Sequence, residues 1–224
     1  MRARNFLTVG TLGVVLALPG GQAQAADYLF EIRRNGTPVG THRVTLQPDG
    51  ERLRVEAHSE ITVRLLGIPV YRFDYRSDSL WAGGRLQSLQ TVTDDDGTVT
   101  RVGARADGGS LLVEGADGRV GAPAGLMPTD HWNPAVIGAR QVLNTITGKI
   151  NEVRMTREGR EEVPAGDGRR SATRYSYRGD LEATVWYDDA GSWVGLRFAA
   201  RDGSTIDYVC RRCDAGPQIA GRSP

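Results

Sequence analysis

Leu53-Arg54-Val55-Glu56-Ala57-His58-Ser59-Glu60-Ile61-Thr62-Val63-Arg64-Leu65 keeps one parity of side chain from end to end. Leu53, Val55, Ala57, Ser59, Ile61, Val63 and Leu65 are apolar or small, while Arg54, Glu56, His58, Glu60 and Arg64 between them are polar. Successive side chains of a strand point to opposite faces, so this stretch reads as a long strand, or two joined by a bend, with one face buried and one wet. The same rhythm extends outward. Upstream, Tyr28, Phe30 and Ile32 alternate with Leu29, Glu31 and Arg33 up to Asn35-Gly36, a pair that marks a tight hairpin, and residues 39–47 supply its partner. Downstream, beyond Gly67-Ile68-Pro69, Tyr71, Phe73 and Tyr75 alternate with Arg72, Asp74 and Arg76.

Further strands are expected near residues 79–81, 86–93, 99–106, 110–114, 152–156, 170–177, 181–187, 193–200 and 204–209. The breaks between them, such as Asp94-Asp95-Asp96-Gly97, Asp107-Gly108-Gly109, Asp188-Asp189-Ala190-Gly191 and Asp202-Gly203, supply the positive φ that tight turns require. One segment departs from the pattern. Asn133-Pro134 followed by residues 135–143 predicts a helix of two to three turns, with Asn as cap, Pro in the first position and Gly148 as the stop. The expected fold is therefore all-β and mainly antiparallel, a meander sheet curled into an open or closed β-barrel with one short helix. A β-sandwich is the alternative.

The N-terminus predicts export. Arg2 and Arg4 precede an apolar run from Phe6 to Pro19, and Ala23-Gln24-Ala25 supplies a small-residue cleavage pattern. That is the layout of a signal peptide over residues 1–25, with an apolar run too short to span a bilayer. The expected product is a single antiparallel β domain over residues 26–224, periplasmic or secreted, with no transmembrane segment after cleavage. Losing Arg2 and Arg4 takes the basic count from 28 to 26 against 27 acids. This near-neutral balance gives no electrostatic case for nucleic acid as a partner. The oligomeric state stays open.

Chemistry-bearing residues are few. Cys210-Arg211-Arg212-Cys213 predicts a local disulfide in an oxidising compartment, with a redox or copper-handling role as the alternative. His42 shares parity with Val44 and Leu46 and should face inward, whereas His58 should face water, so no three-histidine metal site is expected. His131 belongs to Pro128-Thr129-Asp130-His131-Trp132-Asn133-Pro134, the densest concentration of functional residue types in the chain, where strand gives way to the predicted helix. His42, His131 and Trp132 are the candidate ligand-binding residues. His42 and His131 with Asp130 are also the candidates for proton transfer. Nucleophile-elbow, metalloprotease, phosphate-loop and dinucleotide signatures do not occur, and no cofactor is expected.

Val39-Gly40-Thr41-His42, Leu80-Trp81-Ala82-Gly83-Gly84-Arg85-Leu86, the segment from Pro128 to Pro134 with Leu143-Asn144-Thr145-Ile146-Thr147-Gly148-Lys149 after it, Trp186-Tyr187-Asp188 and Trp193-Val194-Gly195-Leu196 form a further pattern. Together they resemble a family of exported, periplasmic bacterial proteins known as a domain of unknown function. More distantly, the chain resembles the periplasmic lipoprotein carriers, whose fold is a half-open β-barrel around a helix and an apolar cavity. The resemblance implies location and fold, not an activity. The function expected from these readings is binding of an apolar or amphipathic, lipid-like ligand without catalysis. A hydrolase- or isomerase-type enzyme using His42 and His131 is one alternative, and redox or copper handling at Cys210 and Cys213 is the other.

Overall fold

The structure is a computed structural model that describes residues 26–213. The predicted leader, residues 1–25, lies outside the described residues, as does the tail after Cys213. The chain first runs outward as a meander: β1 (Ala26–Arg34), β2 (Thr37–Asp49), β3 (Arg52–Leu65), β4 (Ile68–Ala82), β5 (Arg85–Asp95), β6 (Thr98–Asp107), β7 (Ser110–Gly115) and β8 (Gly118–Pro123). It then starts again from the opposite edge and works back: β9 (Met127–Pro128), β10 (Gln141–Leu143), β11 (Ile150–Ala165), β12 (Gly168–Gly179), β13 (Ala183–Tyr187), β14 (Trp193–Ala199) and β15 (Thr205–Cys213). β15 pairs with β1, so the first and last described strands lie at the middle of one 15-stranded sheet. The expected all-β, antiparallel fold is correct. A single continuous sheet replaces the sandwich alternative.

A sheet with one apolar face has to curl to bury that face. The two edges, β8 and β9, are consecutive in the chain and meet at a seam. There the Leu126 amide donates to the Pro123 carbonyl at 2.9 Å, and the Thr91 hydroxyl donates to the Thr145 carbonyl at 2.6 Å. Gly148, at φ +77°, lies so close to Gly115 that a Cβ on it would sit 2.8 Å from the Gly115 Cα. The ring is partly closed by these contacts rather than by a full ladder.

The expected helix is shortened to a five-residue 3-10 turn, Pro134–Gly138. Asn133 caps it as read, its Oδ1 accepting from the Ala135 amide at 3.0 Å. Val136 and Ile137 are β-branched and Gly138 follows them, a poor run for α-helix. Residues 141–143 instead become β10, between β9 and β11. Gly148 is therefore not a helix stop but the close contact at the seam.

Burial along the hairpin of β3 and β4 runs in one direction. Val55 and Trp81 at one end are 2% and 1% exposed, while Leu65, Leu66 and Ile68 at its turn are 65%, 95% and 66% exposed. One end of the curled sheet is filled, with the Trp132 ring edge-on to Trp81 at 5.2 Å. The other end is open.

Cys210 and Cys213 form a disulfide with Cα atoms 6.1 Å apart. They pair across the ladder with Phe30 and Tyr28 of β1, and both are buried in the core. A buried bridge of this kind acts as a staple, with little access for exchange. Replacing both cysteines by serine is expected to lower unfolding free energy by about 2 kcal/mol, the loop-closure contribution for so short a loop, as measured by urea denaturation. Gly148→Ala, which pushes a Cβ into Gly115 at a positive φ, is expected to cost about 1–3 kcal/mol in the same assay. An unchanged midpoint would show that the seam is loose.

Candidate functional site

The open end leads into a cavity of about 1360 Å³ that reaches down between the two halves of the sheet. Apolar and aromatic side chains dominate its walls, among them Val44, Val63, Phe73, Trp193, Leu196 and Phe198. At its mouth the turn between β3 and β4 exposes Leu65, Leu66, Ile68 and Val70. Two charge pairs stand at the rim: Arg34 with Asp202 at 2.6 Å, and Arg201 with Asp95.

His42, Asp130, His131 and Trp132 all line this one cavity, although 88 residues separate His42 from Asp130 in sequence. β2 brings His42 in by its parity. The segment from Thr129 to Asn133 is held across the interior by three ties. The Thr129 amide donates to the Leu143 carbonyl at 2.9 Å, the Tyr187 hydroxyl donates to the His131 carbonyl at 2.9 Å, and Asn133 caps the 3-10 turn. Both imidazoles lie against one indole: ring centres of His42 and His131 are 5.6 and 5.4 Å from that of Trp193. His58 lies on the outer face, 3.0 Å from Asp74, so the three histidines do not converge. His58, Glu60 and Asp74 do approach within 4.8 Å of one another, but Arg76 already occupies Asp74 at 3.0 Å.

Several cavity residues were not legible as site residues. Tyr75 donates to the Thr145 hydroxyl at 2.9 Å, and its oxygen lies 3.5 Å from Asp130 Oδ1. Tyr177 is 3.5 Å from His131 Nδ1, and Ser59 is 2.7 Å from His42 Nδ1. Tyr208 also hydrogen-bonds Ser59. The parity of Tyr71, Phe73 and Tyr75 was a usable signal for Tyr75. Thr145 and Trp193 fall in stretches that carry the family resemblance, but no local pattern assigns either to a site.

Enclosure sets the charge states. Loss of water lowers the His42 imidazole to about 3, with repulsion from His131 and His58 acting in the same direction, and lowers His131 to about 4. Both are neutral at pH 7. Burial raises the Asp130 carboxyl to about 6, against the opposing hydrogen bond from Tyr75. Ser59 and His42 are spaced like a nucleophile and its base. No carboxylate hydrogen-bonds this imidazole among the described residues, and a base held near 3 takes a serine proton poorly. The contact is better understood as two buried polar groups satisfying each other. A second depression, of about 420 Å³, is a surface groove lined by Glu158, Glu161, Arg174, Arg178 and Arg197, in which Arg174 pairs with Glu161.

A partly closed antiparallel sheet around a largely apolar cavity with a small polar patch defines an all-β cavity protein. Residues 30–211 match the family described as a domain of unknown function (DUF6134), and the chain belongs to that family. No curated protein matches the chain. No helix among the described residues is long and apolar enough to cross a membrane.

The shifted groups predict a pH dependence. A histidine held below its ordinary 6.5 binds fewer protons folded than unfolded, so stability is lost as pH falls from 6.5 toward about 4 and 3. Asp130, held above its ordinary 3.8, acts in the opposite sense up to about 6. Two histidines outweigh one carboxyl, so stability should fall between pH 6.5 and 4.5 by on the order of 1 kcal/mol per pH unit. Asp130→Asn should raise stability at pH 7 and steepen the acid loss. Urea midpoints across that range measure both.

Proposed function

We propose that this protein is an exported binder of an apolar or amphipathic, lipid-like ligand, which it holds inside the curled sheet without altering it chemically. The observation that carries the reading is the cavity of about 1360 Å³ with largely apolar walls and a small polar patch deep within it. Concave, mostly apolar sites with a few convergent polar groups are the usual form of small-molecule sites. The volume exceeds the common range for drug-sized ligands and suits a long chain. The exposed apolar turn at the mouth is consistent with ligand entry there, since exposed apolar patches mark interaction sites. Export to the periplasm rests on the leader-like residues 1–25 and on the oxidised Cys210–Cys213 pair, which suits such a compartment.

Native mass spectrometry of protein purified from the exported fraction is expected to show a bound amphiphile that organic extraction removes. The environment-sensitive probe N-phenyl-1-naphthylamine should then bind the emptied protein. Ala57→Phe, which projects a ring from the β3 wall into the cavity, should weaken that probe about ten-fold or more. Wild-type protein that carries no amphiphile and takes up no probe would overturn the reading.

A further inference from the structure

The cavity's acidic groups are not alike. At the rim, Asp95 pairs with Arg201 and Asp202 with Arg34, while Asp180 accepts from the Glu152 amide at 2.9 Å. Asp130, half-buried on the cavity wall, makes no ion pair among the described residues. Its one hydrogen-bonding contact there is the Tyr75 hydroxyl, at the long distance of 3.5 Å, and that hydroxyl already donates to Thr145 at 2.9 Å. A carboxylate held against largely apolar walls without a cation is costly, and a cationic partner would offset that cost. The groups around it offer acceptors and ring faces rather than positive charge. Tyr75 and Thr145 present oxygen lone pairs, and elsewhere on the wall of the same cavity His131, His42 and Tyr208 stand around Trp193 with ring centres 5.4 to 6.1 Å from its own. Both imidazoles are neutral at pH 7 and cannot act as counter-ions.

We propose that the ligand's head group is a cationic ammonium, with Asp130 as its counter-ion, the Tyr75 and Thr145 oxygens as acceptors and the aromatic cluster at Trp193 alongside, the alkyl portion lying against the apolar wall toward the mouth. This rests on the reading of the cavity as a ligand site and names the class of ligand. The chemistry discriminates. An ammonium supplies the donors and the charge that the site lacks, and aromatic faces add cation–π attraction within about 6 Å. A carboxylate or phosphate head would place a second negative charge beside Asp130. A neutral alcohol could donate one hydrogen bond but would leave the carboxylate without a counter-ion.

The test is displacement of bound N-phenyl-1-naphthylamine by decylamine, decanol and decanoate, which share one chain length. Near pH 7.5, decylamine should displace the probe at a concentration about ten-fold or more below that of decanol, with decanoate weakest. Asp130→Asn should bring decylamine back to the level of decanol. In the wild type the advantage should shrink below about pH 6, where Asp130 takes up a proton while the amine stays charged. That titration keeps the test decisive even if the variant misfolds. Equal displacement by all three, a preference for decanoate, or a decylamine preference that survives both Asp130→Asn and acid overturns the ammonium assignment and leaves the cavity reading intact. A wild-type protein that binds neither probe nor any of the three chains sinks the cavity reading and this inference with it.

Discussion

The pairing of β1 with β15 holds the molecule together. Within each half the strands pair among themselves, chiefly as sequential neighbours and also as β11 with β15 at Ala165 and Cys210, and without the β1–β15 junction the two halves would be separate sheets with exposed edges. The register of the junction sets Phe30 against Cys210 and Tyr28 against Cys213, so the disulfide sits beside the aromatic core of β1. With the halves joined at the middle, the free edges fall to β8 and β9, which the chain connects directly. Curling and partial closure at Gly115 and Gly148 follow from that arrangement.

The same geometry makes a cavity rather than a solid core. Large side chains fill one end, where Trp81, Trp132, Leu89 and Val113 are buried. Toward the other end the inward positions of β5 become Thr91 and Thr93, while β3 and β4 project past their neighbours to an apolar turn. Small and polar inward residues leave volume that the large ones would have filled. Residues 129–133 cross this interior because Asn133, Tyr187 and the short β9–β10 pairing fix them there. They bring a carboxyl and an imidazole onto the wall of a largely apolar cavity, and desolvation there shifts the titration of Asp130, His131 and His42.

Much of the fold was legible because its signal is local. Alternation in residues 53–65 gave strand and face together, and Asn35-Gly36 and Asp202-Gly203 gave turns with a conformational reason. The strand β8 was not expected, the stretches near 71–75 and 79–81 are one strand, and two further readings failed for identifiable physical causes. Residues 135–143 carry a cap and a partly apolar stripe, but β-branching, Gly138 and the vacant position beside β11 favoured a 3-10 turn and a strand. The middle of β11, from Arg157 to Glu162, has no apolar face because that stretch is largely exposed, so its strand was read only as far as residue 156. For the site, parity placed His42 inside, and the density of residue types singled out Asp130, His131 and Trp132. That Trp193 lies between two histidines, or that Thr145 meets Tyr75, depends on pairings between distant strands, which no local pattern encodes.

The central claim is that the curled sheet encloses a ligand and that Asp130 faces its head group. A crystal structure of the protein grown with decylamine tests it most directly. Continuous density for an alkyl chain is expected inside the cavity, with the amine within hydrogen-bonding distance of Asp130 and beside the Trp193 cluster. Density for the amine on the outer face of the sheet, with the cavity collapsed or filled by its own side chains, would contradict it.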